Sequence, residues 1–258
     1  MTRNMSVSGT FYPSQEKEIL KYFEHFSSLI EEISLPSSKA IIVPHAGYIY
    51  SGFTANIAYK VLKNSSVKNF LIIGPSHRIG FQRSSICNFE AYDTPFGEIK
   101  GDNDIFDELK SKFNISSYYE AHREHSTEVQ FPFIKHYIQD ASIIELVYSK
   151  EDPKELSKLI KYIYEKKDWG VVISTDLSHF YNLEDANSLD AICIDAVKNM
   201  DVNSLHKGCE ACGIIGIEAM LLSANELNLK SKILDYRTSA DASGDNSNVV
   251  GYLSACFN

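Results

Sequence analysis

Cysteine is scarce in this chain: five in 258 residues. That odd, thin count does not fit the disulfide framework of a small secreted domain. No apolar run approaches the ~20 residues of a membrane-spanning helix. The polar opening, Met1 to Thr10, lacks the apolar segment of a signal peptide. A cytoplasmic protein with no membrane partner is therefore expected. Positive charge is also in deficit, with 25 Lys and Arg against 34 Asp and Glu and a net charge of −9. Nucleic acids and anionic membrane surfaces select a basic face, and nothing basic stands out beyond pairs such as Lys166-Lys167. Nucleic acid is thus excluded as the main partner.

Several catalytic signatures are missing as well. There is no Gly-x-Gly-x-x-Gly, no Gly-Lys-Ser of a phosphate loop and no His-Glu-x-x-His. No serine stands in a Gly-x-Ser-x-Gly elbow, which disfavours a serine hydrolase. Cys209-Glu210-Ala211-Cys212 is a lone Cys-x-x-Cys, open to a redox pair, a metal pair or plain packing.

What is present is a large apolar fraction, 44%, enough for a substantial core. Short β-branched runs alternate with helical patterns along most of the length. Strands are expected at Ala40 to Val43, Asn69 to Ile73, Ser142 to Tyr148 and Gly170 to Ser174, with a weaker one at Ser85-Ile86-Cys87. Helices are expected at about Ser14 to Ile33, Ser51 to Lys63, Asp102 to Phe113, Glu184 to Asn199 and Ile214 to Leu227. Asp152-Pro153-Lys154-Glu155 carries a cap residue, a proline suited to the first helical turn and a capping-box glutamate. Lys232 to Arg237 and Asn248 to Cys256 read as a terminal strand pair. This order predicts a single α/β domain: a largely parallel central sheet, helices on both faces, and antiparallel additions near the C-terminus.

Three of the central strands are followed by a histidine. Val43-Pro44-His45, Gly74-Pro75-Ser76-His77 and Ser174-Thr175-Asp176-Leu177-Ser178-His179 share the same grammar. Ligands of open α/β sheets collect beyond the carboxyl ends of the strands, so His45, His77 and His179 are expected to converge. Neutral imidazole is the commonest nitrogen ligand of transition metals, and two histidines with one carboxylate is the non-haem Fe(II) pattern. His45 and His77 are the first two ligand candidates. The third is open among Asp176, Asp241, Asp245, Glu128 and Glu210. His125 and Glu128, three apart, would share a helix face beside the metal or the substrate. The alternative is a helix-start salt bridge, with Glu128 facing the chain's own amides. Tyr48 stands among aromatics that could wall an apolar pocket.

The blocks Ser8-Gly9-Thr10-Phe11-Tyr12-Pro13, Val43-Pro44-His45-Ala46-Gly47-Tyr48, Gly74-Pro75-Ser76-His77, Glu124-His125-Ser126-Thr127-Glu128-Val129-Gln130 and Ser174 to His179, with Val250-Gly251-Tyr252, resemble the Memo family. The resemblance runs from about residue 8 to 256. It implies a fold similar to class III extradiol dioxygenases of the LigB type, which open catechol rings with Fe(II) held by two histidines and a glutamate. His45 and His77 then occupy the metal-histidine positions, and His179 that of an acid/base histidine, with Asp176 nearby. Animal relatives use a cysteine in a C-terminal loop as third ligand. Aligning that loop on Tyr236 and Tyr252 puts Ala242 there, which leaves Asp241 as the substitute. The resemblance further implies Fe(II), with Cu or Zn as alternatives. It also implies a metal-dependent redox activity on a small substrate, against a peptide- or protein-binding module or a metal carrier. AMMECR1-like and radical SAM proteins are the implied partners.

Overall fold

The computed structural model describes residues 1–30 and 35–258. In chain order the strands are β1 (Thr2–Arg3), β2 (Ala40–Val43), β3 (Asn69–Pro75), β4 (Ser84–Ile86), β5 (Ala91–Tyr92), β6 (Ile99–Gly101), β7 (Ser142–Tyr148), β8 (Trp169–Ser174), β9 (His179–Tyr181), β10 (Ser231–Thr238) and β11 (Val249–Phe257). The helices are α1 (Glu16–Ser28), α2 (Tyr48–Lys63), α3 (Asn103–Lys112), α4 (His125–Glu128), α5 (Phe131–Tyr137), α6 (Pro153–Tyr164), α7 (Leu183–Asn199), α8 (Val202–Leu205), α9 (Ile214–Glu226) and α10 (Ala240–Ser243).

The sheet runs β1-β5-β6-β7-β3-β8-β2-β11-β10. Its centre, from β6 through β2, is parallel. β11 adds antiparallel to β2, and β10 to β11 as a hairpin. This is the expected single-domain α/β architecture. Because side chains of a strand alternate between faces, β2 sends Ala40 and Ile42 into one core and Ile41 and Val43 into the other. Leu71 and Ile73 of β3 likewise oppose Phe70 and Ile72. A sheet covered on both faces needs apolar residues at every central position, hence the unbroken runs.

Most element bounds match expectation closely. Asp152 caps α6 by accepting from the Lys154 amide at 2.9 Å. Glu155 does not close the box, since its carboxylate pairs with Lys158 instead. The expected first helix ends at Ser28, and residues 31–33 of that expectation lie outside the described residues. β9 was not foreseen: three residues, His179 to Tyr181, pair with β11, too short a run to show a period. No helix of the described residues is long and apolar enough to cross a membrane.

The consequence for chemistry is topological. β8 lies between β3 and β2. The turns that follow all three strands therefore open at one edge, with His77 and His45 flanking Ser174 and Asp176.

Candidate metal centre

His45 is buried and follows β2. Its Nδ1 meets the Ser174 hydroxyl at 3.0 Å. That hydroxyl donates to the Ser126 carbonyl and accepts from the Gln130 amide nitrogen at 2.9 Å. A serine hydroxyl has one proton and two acceptor sites. The proton is spent on Ser126, so His45 Nδ1 must be the donor, and Nε2 carries the free lone pair. Gln130 is itself fixed by the Pro44 carbonyl at 2.8 Å and the Tyr59 hydroxyl at 3.0 Å. Burial, reinforced by the neighbouring His77 and His125, pushes the His45 imidazole well below its ordinary pKa. It is therefore the neutral ring a metal requires.

His45 Nε2 faces the Cys212 Sγ at 3.4 Å. The Asp176 amide donates to that sulfur at 3.3 Å. Ring nitrogens of His45 and His77 and the Cys212 sulfur all lie within 4.8 Å of one another. Donors around a transition metal at bond lengths near 2.0–2.3 Å are separated by somewhat less, so small side-chain movements close the set. Burial and then Asp176 push the Cys212 thiol up to about 12.

Glu124 organises the second side. Its carboxylate accepts from the His77 amide at 2.7 Å and the His125 amide at 2.9 Å. It also meets Nδ1 of His77 at 3.2 Å and Nδ1 of His125 at 2.8 Å. Burial alone would raise this carboxyl, but the hydrogen bonds from His125 and His77 overcome it and hold it well below the usual carboxylate range. Both rings thus have Nδ1 tied and Nε2 available. Carboxylate–histidine pairs of this kind orient metal ligands. The ring centroids of His45 and His77 are 5.3 Å apart, and those of His77 and His125 are 4.6 Å apart.

The convergence of histidines is real but its membership differs from expectation. His125, not His179, is the third ring of the cluster. His179 sits in β9, meets the Phe180 ring edge to face and stays near enough to act electrostatically on His45 and Asp176. Asp176 is buried, and its Oδ1 accepts from the His45 amide at 2.7 Å. Burial raises its pKa against that hydrogen bond.

Three other candidates go elsewhere. Asp241 belongs neither to the set of His45, His77 and Cys212 nor to that of His77, Glu124 and His125, because its Oδ2 turns back to the Thr238 amide at 2.8 Å. Ala242, the aligned loop position, is its neighbour in α10, and the cysteine that lies among the histidines comes from another segment, as Cys212. Glu128 faces away from the histidines, accepting from the Ser6 and Val7 amides at 2.8 Å each and pairing with Arg3. Of the alternative reading the amide contact forms, to the N-terminal segment, whereas the ion pair of Glu128 is with Arg3 and not with His125 at the start of α4, which pairs with Glu124. Tyr48 is a core residue rather than a pocket wall, its hydroxyl donating to the Val129 carbonyl at 2.9 Å. Cys209 does not pair with Cys212 but is disulfide-bonded to Cys193.

Two residues of the cluster were not placed beside the histidines by the sequence reading: Glu124, and Cys212, which was read only as half of a Cys-x-x-Cys. Glu124 was visible only as the residue before His125. Cys212 precedes Gly213, where an added Cβ would lie 2.6 Å from Thr175. A cysteine beside a glycine at the start of an apolar helix was the available signal.

An α/β protein with a histidine–cysteine cluster at the carboxyl edge of its parallel strands is the class these features define. The sequence matches the family described as Memo-like protein over residues 3–256. It is 34% identical to a MEMO1 family protein of Methanobrevibacter smithii, with both chains covered completely. It is 31% identical to one of Aquifex aeolicus, over 99% of this chain and 98% of the relative. A MEMO1 family protein of Sulfolobus acidocaldarius is 34% identical over 100% of this chain and 99% of its own. The chain belongs to the Memo-like family.

Proposed function

We propose that His45, His77 and Cys212 hold a single transition-metal ion and that the protein is a metal-dependent redox protein acting on a small substrate, in the manner of class III extradiol dioxygenases. The observation that carries this reading is the donor set itself: two imidazole nitrogens and one sulfur within 4.8 Å of one another. A cation there supplies the positive charge that a buried thiolate lacks. The thiolate also makes the set softer than two histidines and a carboxylate, which widens the choice from Fe(II) toward copper or zinc.

A resident iron or copper ion would supply electron transfer and Lewis acidity at this position. The chain's own residues do the rest. Ser174 holds His45 in the tautomer that presents Nε2, and Glu124 does the same for His77. His125, tied to the same carboxylate, offers Nε2 to a substrate oxygen beside the ligands. Asp176, raised by burial, retains a proton more readily than an exposed aspartate, and His179 at the rim is placed to exchange one with a substrate hydroxyl.

Metal titration of protein made without a histidine tag tests the reading. One equivalent of Fe(II) or copper is expected to bind wild type and Asp241→Ala. Binding should weaken strongly in His45→Ala, His77→Ala and Cys212→Ala. Equal affinity in all five proteins would sink the site. Oxygen uptake with a panel of catechols tests the finer claim. Stoichiometric metal without uptake on any of them removes ring cleavage and leaves metal holding.

A further inference from the structure

A cavity of about 530 Å³ lies between the N-terminal segment, residues 1–6, and the two segments that carry Arg78, after β3, and Arg123, before α4. Arg3, Arg78, Arg123 and His122 line it, with Phe89 and Tyr119 as its aromatic wall. No aspartate or glutamate is among the lining residues. That is unusual in a chain of net charge −9.

The cations there are not equivalent. Arg3 is buried and neutralised from behind by Glu128 and Glu145. Its Nε nevertheless stays buried without a hydrogen-bond partner, and an unsatisfied buried donor costs free energy. Arg78 and Arg123 are exposed at the rim. Arginine ion pairs among the described residues involve Arg3 and Arg237 alone, so both rim guanidiniums keep their full charge and their planar forks. Guanidiniums are suited to bidentate capture of carboxylates and phosphates. Phe89 and Tyr119 meet edge to face at 5.6 Å, which fixes the aromatic wall.

We propose that this cavity is a second binding site, for a small oxyanion ligand whose carboxylate or phosphate lies between Arg78 and Arg123 and whose body packs on Phe89 and Tyr119. Arg78 directly follows His77, and Arg123 directly precedes Glu124, so the site adjoins the histidine cluster along the chain. It requires no metal and stands whether or not His45, His77 and Cys212 bind one.

Calorimetric titration at fixed ionic strength tests this, with sodium benzoate and inorganic phosphate as separate probes. Saturable one-to-one binding of at least one probe is expected. Benzoate binding identifies a carboxylate ligand that uses the aromatic wall; phosphate binding alone identifies a phosphate ligand. Affinity should fall about tenfold or more in Arg78→Ala and in Arg123→Ala, the loss of a charge-assisted contact. Lys198→Ala removes the same charge from exposed α7 and should leave binding intact, as should His45→Ala. The proposal is overturned if neither probe saturates, or if Lys198→Ala weakens binding as much as the arginine variants do. Both arginines are exposed, so thermal melts of the variants are expected to match wild type.

Discussion

Ser174 is the residue on which the candidate centre turns. Its hydroxyl takes two donors and gives one, and this closed account leaves His45 only one way to share its proton. Ser174→Ala removes the acceptor at Nδ1 while keeping the side chain short. The ring is then free to change tautomer and to rotate. Loss of such an outer partner typically costs 10–100-fold in metal affinity, and a loss of about that size is expected by competition with a chromophoric chelator. An unchanged affinity would show that His45 is oriented by packing alone. Glu124 plays the corresponding role for His77 and His125, but through a charge, which is why its carboxyl is held ionised despite burial.

Elements matter through what they carry. α7 and the segment before α9 are joined by the Cys193–Cys209 bond across a sequence separation of 16, with Cα atoms 4.9 Å apart. Closing a loop of that length restricts the unfolded chain by about 3 kcal/mol. Cys193→Ser is therefore expected to lower the stability of oxidised protein by about that amount in urea denaturation, and to abolish the difference between oxidised and reduced samples. Stability that responds equally to reductant in the variant would place the effect on another cysteine. Cys87 and Cys256 are buried free thiols and the natural suspects in that event. The same segment ends at Cys212, so one short stretch both pins α7 and delivers sulfur to the histidines. The Cys-x-x-Cys spacing left a redox pair, a metal pair and plain packing open, and it could not show that the partner of Cys209 is Cys193, one helix away.

At the scale of the molecule, the N-terminal segment is locked to the sheet by buried ionic contacts. Glu145 in β7 accepts from Thr127, meets His122 Nδ1 at 2.7 Å and pairs with Arg3, which also holds Glu128. Burial opposes its ionisation, but the charges of Arg3 and His122 and the hydrogen bonds from His122 and Thr127 prevail and lower its pKa. A carboxylate whose folded pKa is depressed stabilises the fold fully above the unfolded value of about 4.3, and that contribution disappears as pH falls through the folded value. Wild type should lose stability below about pH 4. Glu145→Gln should be less stable at neutral pH and show a shallower acid limb. Parallel acid limbs in the two proteins would mean that Glu145 titrates alike folded and unfolded.

The parallel strands were legible because a sheet buried on both faces demands continuous β-branched runs; β2 and β7 could be bounded to the residue. His45 and His77 were legible for a related reason, since the carboxyl edge of such strands is where side chains converge. Those parts of the protein are determined by local sequence: periodicity, strand ends, and the residues one or two positions beyond them. Tertiary structure alone decided the partners. Placing β8 between β3 and β2 brings Ser174 to His45, and the path through α7 and α8 brings Cys212 back to the same point. Asp241, adjacent to the aligned loop position, turns instead to its own backbone at Thr238. Strand identity depends on neighbours two residues apart, but a ligand set depends on distances between segments far apart in the chain. Those distances are settled only when the whole core has packed.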